Sequence, residues 1–234
     1  MWLPFEMIWA DLGKGREKTY LNLRGKSSAF LKIVCNPFSS LLGFGNTAPV
    51  VFSGSTFQFD ITTIEAPDAP MPDKFEYMDW RQLHFDASFS GQVNNSPIQL
   101  PSGNLLTGLA LLARDGAAGS ATTATGKLRT DLLVNKFSVK VAGQTEIIST
   151  TWLEQQAENK ARYGVNSPLA SNVSLLTGFL YVNFMQYGNI TTGLNVIDRA
   201  SNPQLFVDTR SGSEVSYTNP AVLTIQTEEI APAR

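Results

Sequence analysis

Hydrophobic and polar positions alternate with a period of two through most of the second half of this chain. Residues 80–93 (WRQLHFDASFSGQV) place Leu83, Phe85, Ala87 and Phe89 on one face, the pattern of a half-buried strand. The run LLTGLALLAR that follows the NNSP turn is apolar on both sides and reads as a central, doubly covered strand. Val134, Phe137, Val139 and Val141 mark another strand. Ala142-Gly143-Gln144 makes a tight turn, because glycine supplies the positive φ such turns need. Thr145–Thr150 returns as the partner strand through Ile147 and Ile148.

There the period changes from two to 3.6. Thr151 followed three residues later by Glu154 forms a capping box at the start of a helix. Leu153, Ala157 and Ala161 recur at i, i+4 and i+8 and predict its buried stripe. Glu154, Glu158, Lys160 and Arg162 stay outside, and Gly164 ends the helix. This is the only strong helical pattern in the sequence. Strands resume at Leu175–Tyr187, Gly193–Ile197, 205–209 (LFVDT) and 221–230 (AVLTIQTEEI). Turn signals recur every 8–14 residues or so, at Gly188-Asn189, Ser201-Asn202-Pro203, Ser211-Gly212 and Asn219-Pro220. That spacing argues for an antiparallel sandwich or barrel and against βαβ units. From residue 81 onward about eight strands are expected. Eight antiparallel strands in two sheets is the jelly-roll plan.

The first 80 residues have a different character. Residues 1–12 carry Trp2, Phe5 and Trp9 in an apolar stretch that must pack on something, either the chain's own core or a neighbouring subunit. Residues 14–32 hold Lys14, Arg16, Lys18, Arg24, Lys26 and Lys32 against Glu17 alone. TFQFDITTI at 56–64 alternates as a strand. Residues 65–79 contain three prolines and Glu65, Asp68, Asp73, Glu76 and Asp79, the composition of an acidic loop or linker. The expected organisation is an N-terminal arm over 1–80 with a few strands, followed by a jelly-roll domain over 81–234.

Composition narrows the function. Of 234 residues, 16% are charged, against roughly 25% in an average soluble domain. Small polar residues fill the difference, as suits wet contacts between subunits. The formal net charge of -2 excludes a globally basic nucleic-acid binder. One cysteine, Cys35, excludes an internal disulfide and a cysteine zinc site, and one histidine, His84, excludes a histidine-cluster metal site. His84 is expected on the outer face of its strand, beside Arg81 and Asp86. The GK pair at 126–127 fails the phosphate-loop pattern, because Ala121 stands where glycine is required and Leu128 where serine or threonine is. No nucleophile elbow, dinucleotide fingerprint or calcium loop is present, so no enzyme activity, cofactor or metal is expected. No stretch is apolar enough to span a bilayer, and Pro4 and Glu6 break the pattern of a signal peptide, so synthesis in a host cytoplasm is expected.

The order of elements carries a resemblance. IQLPSGNLLTGLALLAR, a loop, and then FSVKVAGQTEII running straight into TWLEQQAENKARYG resembles the jelly-roll major capsid (coat) proteins of tailless icosahedral phages with an internal membrane. It covers roughly residues 85–230 and rests on element order and the V-x-V-x-G-x-x-x-I hairpin. The resemblance implies a virion protein, with copies of itself as its main partners in trimeric or hexamer-like capsomers. Other virion proteins, and an internal membrane or packaged nucleic acid at the basic segment 14–32, are further implied partners. The candidate inter-subunit contacts are Trp2, Phe5, Trp9, Lys14, Arg16, Lys18, Arg24, Lys26, Glu65, Asp68, Asp73 and Glu76. At this length a single jelly roll with an N-terminal extension is favoured over a compact double one. The competing function is a carbohydrate-binding β-sandwich of a phage appendage or lectin-like protein, with Trp80, Trp152, Tyr163 or Tyr187 as stacking platforms.

Overall fold

The computed structural model describes residues 79–116, 129–143, 145–163 and 177–231. Nine strands and one α-helix occur among them, in the order β1 (Asp79–Phe89), β2 (Ser96–Gln99), β3 (Leu105–Arg114), β4 (Val134–Val141), β5 (Thr145–Thr151), α1 (Trp152–Tyr163), β6 (Phe179–Asn183), β7 (Leu194–Asn195), β8 (Gln204–Thr209) and β9 (Ala221–Ala231). The basic segment 14–32, the strand expected at 56–64, Cys35 and residues 117–128 lie outside the described residues.

All pairings are antiparallel. β1 pairs with β9, β2 with β8, β3 with β6 and β4 with β5. These four pairs nest, first strand with last and inward from there, as if one long hairpin had been folded over on itself. Rolling that hairpin adds the contacts β3 with β9 and β4 with β8. The resulting sheets run β1-β9-β3-β6 and β2-β8-β4-β5, with the short β7 also paired to β3 in the first. This is a jelly roll, and it closes its core between two faces that neither sheet could bury alone.

The core follows the expected alternation. Leu109 and Leu111 of β3, Leu223 and Ile225 of β9, and Leu180 and Val182 of β6 face Phe137 and Val139 of β4 and Leu205 and Val207 of β8. β3 is central, with β9 on one side and β6 on the other; its inner face is buried, while the outward Ala110 and Leu112 are half-buried, so it is less fully covered than its apolar run implied. A second, smaller cluster of Met185, Ile190 and Ile230, with Trp80 and Leu105 against it, lies at one end.

Two strands differ from the sequence pattern. Ser96–Gln99 forms β2, which is only four residues long and contains Pro97; the sheet edge tolerates proline because no outward ladder bond is needed there. The expected strand at Leu175–Tyr187 is only Phe179–Asn183 where described. The Asn183 side chain accepts from the Met185 N–H at 2.8 Å, and the chain then leaves the ladder into a 3₁₀ turn with Tyr187 at φ 52°. The strand expected at Gly193–Ile197 is reduced to the two residues of β7. The expected total of eight therefore counted β7 as a full strand and omitted β2.

Candidate assembly surface

The capping box forms as the sequence required. The Thr151 N–H donates to Glu154 Oε2 at 3.0 Å, and the Glu154 N–H donates to Thr151 Oγ1 at 3.3 Å. The Thr151 N–H first, and then the Thr151 hydroxyl, which donates to the same Oε2 at 2.8 Å, hold the Glu154 carboxyl below its ordinary pKa.

The buried face of α1 is not the expected one. Leu153 is 56% exposed, and Ala157 and Ala161 are exposed as well. The helix buries Trp152, Gln155, Gln156 and Asn159 instead. The reason lies in what the helix covers. β6 is an edge strand, and an edge presents peptide groups with no neighbouring strand. Asn159 acts as a substitute peptide: its Nδ2 donates to the Tyr181 carbonyl at 2.7 Å, and its Oδ1 accepts from the Tyr181 N–H at 2.7 Å. Gln155 Nε2 donates to the same carbonyl at 3.2 Å and Gln156 Nε2 to that of Phe179 at 3.2 Å. An aliphatic stripe in these positions would leave buried peptide groups unsatisfied. Asp131 completes the seam, accepting from Trp152 Nε1 at 3.0 Å, Gln156 Nε2 at 2.5 Å and the Gly178 N–H at 2.7 Å.

A polar line crosses the outer face of the same sheet. Tyr181 reaches from β6 over β3 and donates its hydroxyl to Glu228 Oε2 of β9 at 2.7 Å. Gln82 of β1 donates to Glu228 Oε1 from the other side at 3.2 Å. The ring passes where a side chain at position 108 would stand: a Cβ on Gly108 would overlap the Tyr181 hydroxyl. Tyr163 of α1 meets the Tyr181 ring edge-on, with centroids 6.2 Å apart. Burial, and then the charge of Glu228, push the Tyr181 hydroxyl well above its ordinary pKa. Nearer the other end of β1, Thr224 donates to Asp86 Oδ1, and Arg114 lies 3.6 Å from the same carboxylate.

These networks tie strands together and present no reactive centre. Among the described residues no group of three or more His, Cys, Asp or Glu is placed to hold a metal ion, and no helix is long and apolar enough to cross a membrane. A depression of about 100 Å³ on the outer face of the second sheet is lined by Lys136, Lys140, Phe206 and Asp208, among others. Small-molecule sites usually occupy about 300–1,000 Å³.

His84 is exposed on the outer face with Asp86, but alternation along β1 puts Arg81 on the opposite face, not beside them. Of the four proposed sugar platforms, Trp152 is 0% exposed and belongs to the core, Trp80 packs on the second cluster, and Tyr163 accepts from Asn183 Nδ2. Only Tyr187, at 85%, is openly exposed. Trp2, Phe5, Trp9, Lys14, Arg16, Lys18, Arg24, Lys26, Glu65, Asp68, Asp73 and Glu76 all lie outside the described residues. Sequence reasoning missed Asp131, Asn159 and Glu228; the polar Gln155–Asn159 spacing, i to i+4 on one helix face, was the available signal.

No protein-family model and no curated protein matches the sequence. Solved structures do. The chain is similar to one from the Sulfolobus Turreted Icosahedral Virus, at 12% identity and a TM-score of 0.45 over 68% of this chain and 40% of that one. It is similar to the major capsid protein P2 from bacteriophage PM2, at 12% identity and a TM-score of 0.38 over 65% and 46%. It is similar to a chain of the PBCV-1 virus capsid, at 14% identity and a TM-score of 0.41 over 66% and 48%. All three are chains of viruses. The match spans less than half the length of each. At such identities the likeness concerns the fold, and the jelly roll itself rests on the strand order.

Proposed function

We propose that this chain is a structural capsid subunit that assembles with copies of itself into capsomers of an icosahedral shell. The observation that carries the reading is the hairpin β4–β5 running directly into α1 within a jelly roll, the element order on which the family resemblance rests. The side chains support it. The buried Asn159 and Glu228 and the half-buried Asp131 bind strands and helix together, and a shell subunit needs rigidity and surface more than chemistry.

In this reading residues 1–80 form an arm that reaches a neighbouring subunit, with the basic segment 14–32 and the acidic segment 65–79 as complementary contacts. The protein resides in the virion after synthesis in the host cytoplasm. Other virion proteins, and an internal membrane or nucleic acid at the basic segment, are its further partners. Negative-stain microscopy of the purified full chain tests the assembly: rings, trimers or shells are expected, and a protein that stays monomeric at high concentration refutes it. Deleting residues 1–24 tests the arm, since shells that still assemble normally without it would rule the arm out as a contact. The sugar-module alternative loses Trp152 to the core, and Trp80 and Tyr163 are half-buried and packed or hydrogen-bonded, which leaves only Tyr187 open among its four platforms.

A further inference from the structure

Besides the two-residue β7, four edge strands bound the sheets among the described residues: β1 and β6 on the first, β2 and β5 on the second. An open edge offers unpaired peptide groups, and proteins block it by a cover, proline, shortness, charge or a bulge. β6 is covered by the amide side chains of α1. β2 has four residues and contains Pro97. β5 carries a register shift against β4 that leaves Ile147 without a strand partner, beside the charged Glu146. β1 differs from all three. Its eleven residues run in unbroken register with β9, and no described strand pairs with its other edge. Its exposed Asp86 lies 3.6 Å from Arg114, which offsets the charge. The inner face of β1 is open as well. Phe89 is buried, Phe85 and Ala87 pack half-buried on the core, and Leu83 is 45% exposed. Burial fades along the strand because β2, which follows it across the core, has four residues against its eleven.

We infer that residues 56–64 of the same chain, TFQFDITTI, pair antiparallel with this edge of β1 and close Phe57, Phe59 and Ile61 over Leu83 and Phe85. Two observations name this occupant. The first is where the chain enters. The described residues begin at Asp79, the first residue of β1, so Ile64 is tied to that end of the strand by residues 65–78 alone. Consecutive strands are usually neighbours, and the three prolines of this connection suit a loop between them. The second is the match of faces. Alternation puts Phe57, Phe59 and Ile61 on one side of the segment and Gln58, Asp60 and Thr62 on the other. β1 alternates in the same way, with Leu83, Phe85 and Ala87 inward and Gln82, His84 and Asp86 outward. Paired strands share one pleat, so every register that sets apolar beside apolar also sets polar beside polar. The pairing lies within one chain and stands apart from the shell reading. It fixes 56–64 to its own domain and leaves the residues before 56 as the arm.

Cysteine pairs in the full chain, in a Cys35→Ser background, test this without fixing a register. Leu83→Cys is combined in turn with Phe57→Cys, Phe59→Cys and Ile61→Cys, and for comparison with Gln58→Cys and Asp60→Cys. Residues directly opposite on antiparallel strands have Cα atoms about 4.5–5.5 Å apart, within disulfide reach. Mild oxidation with diamide is expected to give an intramolecular disulfide, seen as a faster-migrating monomer on non-reducing gels, with one of the three inward partners and with neither outward one. Hydrogen exchange of the unsubstituted chain is the second readout. The β1 amides that point away from β9 are expected to be protected, to lose that protection in Phe59→Asp and to keep it in Gln58→Asp. Unprotected amides on that edge of the unsubstituted chain overturn the inference, whatever the variants do. So does cross-linking at the outward positions as readily as at the inward ones. A disulfide-linked dimer overturns it by giving the edge to 56–64 of a neighbour, and protected amides with no cross-link at all give the edge to some other strand. Particles seen by microscopy bear on the shell reading alone, so the two readings fail separately.

Discussion

Replacing Asn159 with alanine tests the idea that α1 is an edge cap rather than an apolar lid. The substitution removes two 2.7 Å hydrogen bonds from the buried Tyr181 peptide. The carbonyl keeps Gln155 Nε2 at 3.2 Å, so losing Asn159 as its donor costs about 1 kcal/mol. The N–H loses its 2.7 Å acceptor in a place water does not reach, at about 1–3 kcal/mol. The total is about 2–4 kcal/mol, less the few tenths by which alanine favours the helix over asparagine. For a chain of this size each kcal/mol lowers Tm by about 2–4 °C, which gives a fall of about 4–16 °C. Thermal denaturation with Lys160→Ala as the exposed control measures it, and the control should stay within about 0.5 kcal/mol of the parent. Hydrogen exchange adds a local readout, since the Tyr181 amide should lose protection while core amides of β3 keep theirs. An Asn159→Ala protein with the parent's Tm and an unchanged Tyr181 amide would refute the reasoning.

Three other outcomes are expected. Gly108→Val places a side chain where the Tyr181 hydroxyl stands, breaking its bond to Glu228 and overpacking the sheet by about 1–3 kcal/mol or more, which urea titration would show as a lower midpoint with an unchanged slope. The Glu154 carboxyl titrates below its unfolded value because of its capping bonds, so its stabilisation is present above the ordinary glutamate pKa and is lost as pH falls through the lower folded pKa; Glu154→Gln should flatten that part of the stability-versus-pH curve. Tyr181 binds its proton more tightly when folded, so its contribution is intact below about pH 10 and declines as pH rises beyond that; ultraviolet titration should show one tyrosine ionising last, and Tyr181→Phe should remove that late step.

Local physics was legible in the sequence. Period-two alternation located β1, β4, β8 and β9, the two-sided apolar run marked β3 as central, and Thr151 with Glu154 fixed where the helix starts. Each of these depends on residues within a few positions of one another, so one chain segment contains the whole cause. Three features could not be read that way. β2 exists because β8 lies beside it, not because SPIQ favours a strand. β6 stops at Asn183 because that side chain ties down Met185, whose apolar side chain turns toward Ile190 and Ile230 and away from the ladder. The buried face of α1 was chosen by its partner: against an aliphatic surface Leu153, Ala157 and Ala161 would have been the inner stripe, but α1 meets the edge of a strand, whose peptide groups require hydrogen bonds, and Gln155, Gln156 and Asn159 supply them. The sequence by itself determined the elements and their inward faces wherever burial meant hydrocarbon. The tertiary structure decided the rolled pairing and the polar seam, because which backbone groups remain unpaired is known only once the sheets have closed.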